Sequence, residues 1–122
     1  MASFALPYSK CYNYSAAMNN NERNRVIQVV GDVLKAHHPE AVYLVGSSAS
    51  GRAKEDSDID FIVVSQADEQ EYYRNAMNDL WHVDAVIDLL VYQPSTFKSK
   101  IKDNIYFRNT INRGRVLYEQ AR

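Results

Sequence analysis

The stretch VGSSASGRAKEDSDIDFIVV, residues 45–64, leaves one apolar run, turns through the small residues Gly46, Ser47, Ser48, Ala49, Ser50 and Gly51, and enters a second apolar run at Ile59. At the mouth of that second run stand Asp56, Asp58 and Asp60, the last of them already inside it. Residues 41–45 and 59–64 read as buried strands, so the glycine- and serine-rich segment is the turn leaving the first strand. Side chains two apart in a strand point to the same face, which sets Asp58 and Asp60 side by side. Left unneutralised they repel, and one of them must take up a proton, whereas a divalent cation stabilises both in the charged form. In the turn, Gly46 allows close backbone approach, and Ser47 offers an N–H and a hydroxyl. Together they suit a phosphate held against a helix start. A cation and a phosphate in one place indicate phosphoryl chemistry.

Three familiar motifs fail on this stretch. Gly46 and Gly51 are followed by Arg52 and Ala53, so the lysine and the magnesium-binding hydroxyl of a P-loop are missing. As an EF-hand loop the acids would need glycine where Phe61 stands and glutamate where Ala67 stands. The esterase elbow would need glycine at Ser50. Two carboxylates seldom hold two magnesium ions, and the third is sought on a neighbouring strand. In residues 85–92, Val86, Asp88, Leu90 and Tyr92 share one face, so Asp88 is a charge in an otherwise apolar strand, where burial without a partner is unfavourable. Asp84 is the competitor for the third carboxylate, but it lies at the strand's start, where a solvated or turn-capping acid is ordinary, and Asp56 belongs to the loop.

Outward from this centre, Val26, Val29, Val30 and Val33 fall at helical spacing within 22–38, and Pro39 ends that helix. Residues 67–80 have helical character. Residues 94–113 read as one or two helices stopped by Gly114, and 116–118 as a short last strand or docking segment. Residues 1–21 carry Tyr8, Tyr12 and Tyr14 and an Asn19-Asn20-Asn21 run without periodicity, and are read as an irregular N-terminal arm. Residues 22–122 form a single domain. Strands alternating with helices make an α/β (α+β) fold.

The 122 residues, 46% hydrophobic and 24% charged, fit one domain that buries roughly two-thirds of the unfolded surface. Cys11 is the only cysteine and has no disulfide partner in the chain. With no leader pattern and no long apolar run, the reducing cytoplasm is the expected compartment and a membrane span is not expected. A net charge of −1 gives no basic footprint for direct nucleic-acid binding. His37 and His38 sit at a helix end where imidazolium favours the dipole. His82 beside Trp81 is read as a loop residue and Lys98, Lys100 and Lys102 as a solvated face. The pairs Tyr72-Tyr73 and Tyr106-Phe107 are read as packing residues that can also mark an interface.

The ordered set Gly46-Ser47-Ser48-Ala49-Ser50-Gly51, Ser57-Asp58-Ile59-Asp60-Phe61 and Asp88 resembles the DNA polymerase β-like nucleotidyltransferase superfamily, most of all its minimal, antitoxin-type branch. The segments YQPSTF and TINRGRVLYEQ add to the likeness, which spans roughly residues 26–120. It implies the polymerase β-like fold, a small mixed sheet flanked by helices. It implies two magnesium ions held by Asp58, Asp60 and Asp88, with Asp88 also assisting deprotonation of the acceptor, and ATP as substrate with Gly46 and Ser47 on its β- and γ-phosphates. Many relatives carry arginine where Ser48 stands, so a cation near the phosphates is either absent or supplied by Arg52 or Lys54. Larger relatives add an acceptor-binding domain for which this length leaves no room. The resemblance therefore implies a hetero-oligomer with a helical HEPN-type ribonuclease toxin. The antitoxin would act by transferring AMP to a hydroxyl of that toxin, tyrosine by expectation. Its alternatives are a non-catalytic antitoxin that occludes the toxin and a small-molecule adenylyltransferase completed by dimerisation.

Overall fold

A computed structural model describes the backbone of residues 2–5 and all of residues 18–121. The elements run β1 (Ala2–Ala5), α1 (Asn20–Ala36), β2 (Ala41–Val45), α2 (Ser47–Ser50), β3 (Ile59–Val64), α3 (Glu69–Asp79), β4 (Ile87–Tyr92), α4 (Pro94–Asp103), α5 (Ile105–Arg113) and β5 (Arg115–Glu119). Among the described residues, five strands form one mixed sheet in the order β1-β4-β3-β2-β5. The β3–β4 pair is parallel, joined by the α3 crossover, and the other pairs are antiparallel.

The alternation of β3 and β4 divides the core in two. Ile59, Phe61 and Val63 with Ile87, Leu89 and Val91 face α1 and α3 and pack with Ile27, Val30, Leu34, Tyr72, Ala76 and Leu80. Ile62, Val64 and Tyr92 face the other way, under Phe97 of α4 and Phe107 and Ile111 of α5. The side chains of β2 are buried on both faces, which accounts for its uninterrupted apolar sequence.

α1 begins with a capping box, Asn19 accepting from the Glu22 N–H at 2.9 Å and the Asn19 N–H donating to Glu22 Oε1 at 3.2 Å. Its inward stripe is Arg23, Ile27, Val30 and Leu34, with Val26 and Val33 partly buried against the same core, so three of the four valines read from the sequence face inward. Val29 alone of the four is exposed, at 42%. α1 ends at Ala36 with His37 as cap. His38 then takes φ 60, an αL residue of the kind that closes helices, ahead of Pro39. His37 Nε2 lies 2.8 Å from Asp79 Oδ2 and so ties the ends of α1 and α3 together.

Two further expectations change. Part of the segment read as an irregular arm is strand β1, with Ala2 opposite Val91 and Ala5 opposite Asp88, because the free edge of β4 offers a row of backbone groups to pair with. The helix takes over at Asn20 rather than residue 22. Cys11 and the tyrosines at 8, 12 and 14 lie outside the described residues. The glycine-serine turn contains a single helical turn, α2, between Gly46 at φ 73 and Gly51 at φ 77.

Candidate active site

The parallel register of β3 and β4 sets Asp60 directly opposite Asp88, each the second residue of its strand. Both therefore enter the α4/α5 face at the same level, on adjacent strands. Asp58 lies in the loop one residue before β3 rather than in the strand with Asp60, yet it still interacts with both carboxylates. Asp84 lies before β4 begins, outside the register that joins Asp60 to Asp88.

Antiparallel pairing of β2 with β3 puts Val45 opposite Asp60, so the turn leaving β2 closes over that carboxyl. A Cβ added to Gly46 would lie 2.5 Å from Asp60 Oδ2. Glycine is needed here twice over, for its positive φ and for the volume that the carboxylate occupies. Ser47 follows as the first residue of α2, and its carbonyl accepts from the Arg52 N–H at 3.0 Å. Gly46, Asp60, Asp88, Leu90, Phe107 and Thr110 line a cleft of about 370 Å³.

Burial is the first cause that pushes the Asp60 carboxyl up to about 7, followed by the charge of Asp88, a hydrogen bond shared with it, and the charge of Asp58. The Asp58 carboxyl is raised by burial, then by Asp88 through charge and a hydrogen bond, then by the charge of Asp56. Asp88 is thus the common partner of the other two, and Asp56 acts from the loop.

Among the described residues no group of three or more His, Cys, Asp or Glu side chains is arranged to hold a metal ion. The chemistry of the donor set nevertheless fits magnesium. That ion takes hard oxygen ligands, binds through one or two carboxylates and completes its shell with water and substrate phosphates. The proton that Asp60 retains near neutral pH marks a cluster short of positive charge.

One participant escaped the sequence reading. Arg23 of α1 is only 4% exposed. Its Nη1 donates to the Ser57 carbonyl at 2.9 Å and to Ser48 Oγ at 3.3 Å, and its Nη2 donates to the carbonyls of Lys54 and Glu55. The loop that delivers Asp58 is therefore held by a buried guanidinium 31 to 34 residues upstream of the carbonyls it binds. The signal was an arginine placed on the inward stripe of an amphipathic helix, four residues before Ile27. Ser48 is engaged by Arg23, and the Lys54 backbone N–H is bound to Ser57 Oγ at 2.8 Å.

The aromatic pairs divide. Tyr72 is buried and donates to the Leu34 carbonyl at 2.6 Å, Tyr73 packs on the core edge and Phe107 contacts Tyr92. Tyr106 is 82% exposed. Lys100 leaves the solvated face expected for it and sits over the rings of Tyr92 and Phe107, at 5.9 and 5.4 Å.

A mixed sheet with two carboxylates in register on neighbouring parallel strands, closed over by a Gly-Ser turn, defines a fold built to handle phosphoryl groups. The chain belongs to the polymerase β nucleotidyltransferase family: the family model described as Polbeta: Polymerase beta, Nucleotidyltransferase matches residues 28–122. A comparison with curated proteins finds no match. Among solved structures, the chain is similar to the crystal structure of a toxin-antitoxin with AMP-PNP. That likeness has a TM-score of 0.50 and 19% identity, over 84% of this chain and 75% of that one. It is also similar to a mutant of the toxin-antitoxin MntA-HpeT, with a TM-score of 0.45 and 16% identity over the same shares. These likenesses concern the fold. No helix among the described residues is long and apolar enough to cross a membrane.

Proposed function

We propose that the protein transfers AMP from ATP to a hydroxyl, a tyrosine by preference, of a helical HEPN-type ribonuclease toxin, and so acts as its antitoxin in the cytoplasm. The observation that carries this reading is the register pair Asp60–Asp88 beneath Gly46, which places two charge-starved carboxylates beside a turn open to phosphate. The toxin enters the reading from the toxin-antitoxin with AMP-PNP whose fold this chain shares.

Asp58, Asp60 and Asp88 would hold two magnesium ions, which supply charge neutralisation at the α-phosphorus and on the leaving oxygen. Gly46 and Ser47 hold the β- and γ-phosphates and orient the chain of phosphates across the acids. Asp88 accepts the proton of the acceptor hydroxyl. The acceptor oxygen forms its bond to the α-phosphorus, the bond from that phosphorus to the bridging oxygen breaks, and pyrophosphate leaves with the bonding pair. Positioning and charge account for most of the rate, since little covalent work falls to the protein.

Incubating the chain with its toxin partner, ATP and magnesium is expected to add one or more AMP units to the partner, read by intact mass. The Asp58→Asn, Asp60→Asn double variant is expected to lose about a thousandfold or more in rate while keeping its fold. If that variant still neutralises the toxin fully and the wild type never modifies it, occlusion takes the place of catalysis.

A further inference from the structure

At the other end of the sheet from the aspartates, where β2 begins and β3 and β5 end, lies a hollow of about 310 Å³. Ala41, Tyr43, Val64 and Phe97 make its wall, and Glu40 and Glu119 bring carboxylates to it. Asp60 pairs with Val45, four strand residues or roughly 13 Å from Ala41 along β2, so the hollow and the aspartate cleft are separate places. No lysine, arginine or histidine is among the described residues that line it. Neither carboxylate is in an ion pair among the described residues.

The backbone here is clamped. The Glu40 N–H donates to the Val64 carbonyl at 2.7 Å, and the Gln120 N–H donates to the Glu40 carbonyl at 2.8 Å, so one residue ties three strands together. The β2–β5 register puts Glu119 opposite Ala41. Glu40 Oε2 accepts from Gln66 Nε2 at 2.6 Å, which orients that carboxylate and leaves its second oxygen for another donor.

Each acid alone has an ordinary explanation, Glu40 as a solvated strand start and Glu119 as a charge that blunts a sheet edge. Tyr43 has none. It is only 8% exposed, with its ring stacked on Phe97, and its hydroxyl makes no hydrogen bond among the described residues. Phenylalanine would fill the same stack without a polar atom to satisfy, and burying a hydroxyl without a partner is unfavourable. The hydroxyl opens into the hollow within reach of the Glu119 charge; burial first and that charge second raise its pKa, so the phenol stays neutral.

We propose that this hollow binds a guanidinium group, held by the carboxylates of Glu40 and Glu119 and by the oxygen of Tyr43. A guanidinium carries several N–H donors in a planar fork and no acceptor, which matches two carboxylates and a hydroxyl oxygen. It is also more weakly hydrated than an ammonium, so it enters a half-apolar recess more readily. Ala41, Val64 and Phe97 suit the methylene stem behind it. The proposal does not rest on the AMP-transfer reading, since it uses none of the aspartates and no nucleotide.

Titrating the isotope-labelled full chain with n-butylguanidinium, n-butylammonium and a blocked arginine peptide, read by amide NMR shifts, tests it. Saturable shifts are expected around residues 40–43, 97 and 119–120, with n-butylguanidinium binding about threefold or more tighter than n-butylammonium. Glu40→Gln and Glu119→Gln are each expected to weaken n-butylguanidinium about tenfold, the size of one lost charge-assisted hydrogen bond. Tyr43→Phe keeps the stack and is expected to weaken it about threefold. Glu71→Gln, an exposed acid on α3, serves as a control for unspecific charge, and thermal melts verify folding. Tighter binding of the peptide assigns the guanidinium to an arginine of a partner protein, and tighter binding of n-butylguanidinium assigns it to a small compound; either sustains the proposal. It is overturned if no probe shifts the residues of the hollow, if n-butylammonium binds as tightly, if the glutamate variants or Tyr43→Phe bind as well as the wild type, or if Glu71→Gln weakens binding equally.

Discussion

Strands β3 and β4 show two different proteins on their two faces. Toward α1 and α3 they present Ile59, Phe61, Val63, Ile87, Leu89 and Val91, every one fully buried and apolar. Toward α4 and α5 the same strands begin with Asp60 and Asp88 and become apolar only further on. That second face is smaller and is finished with aromatic contacts, Tyr43 stacked on Phe97 at 5.6 Å and Phe107 edge-on to Tyr92 at 5.4 Å. Because neighbouring strand residues belong to opposite faces, one face can hold the fold while the other concentrates unfavourable charge. The destabilisation caused by clustered carboxylates is offset across the thickness of a single sheet.

The sharpest way to break this comparison is to make cavities on both faces. Phe61→Ala, on the α1/α3 face, is expected to lose about 3–5 kcal/mol. Phe97→Ala, at a half-buried position of α4 over the second face, is expected to lose only about 1–2 kcal/mol. Urea unfolding measures both, and equal losses would end the claim that stability resides on one face.

Arg23 gives the next effect, since it reaches from the stabilising side into the loop that serves the other. Arg23→Met is expected to lose about 2–3 kcal/mol as several carbonyls lose a charged donor. Hydrogen exchange should rise selectively in residues 52–58, and Arg23→Lys should restore part of that protection. A uniform rise over the whole chain would make Arg23 an ordinary core residue.

The smallest effect has the opposite sign. The folded-state carboxyl of Asp60 titrates near 7, against 3.8 for an ordinary aspartate, so without divalent ions the folded chain holds its proton more tightly than the unfolded one. Stability is then full below about pH 4 and declines as pH rises toward 7. Asp60→Asn cannot ionise and should lack that decline, gaining about 1–2 kcal/mol at neutral pH after allowance for solvent screening of a half-exposed group. Melting curves at several pH values decide it, and a variant that melts lower than the wild type at pH 7 would show that the cluster is not strained.

Much of this division can be read directly from the residues. The runs 41–45 and 59–64 are strands to the residue, because an apolar run bounded by small or charged residues has few other solutions in a short domain. Asp88 was legible as an interruption of alternation, and the structure puts it on the face that alternation assigns. What escaped depends on long-range packing. The inward place of Arg23 and the outward one of Val29 depend on the sheet below α1, and the valine spacing alone carried no warning of either. The pairing of residues 2–5 needs the edge of β4, eighty residues away. Asp58 fell just outside its strand, since the loop held by Arg23 fixes where β3 begins.

The reach of Arg23 also bears on where this unit can be cut. The family likeness runs from residue 28, but the carbonyls that shape the loop before β3 take their hydrogen bonds from residue 23. A fragment trimmed to the matched region would keep all three aspartates and every strand from β2 onward, and would still lack the group that gives the loop its form. A fragment that begins at the Asn19 cap, where the helix carrying Arg23 starts, is expected to keep that loop's form. The residues that match the family and the residues that shape its aspartate loop therefore span different lengths of this chain.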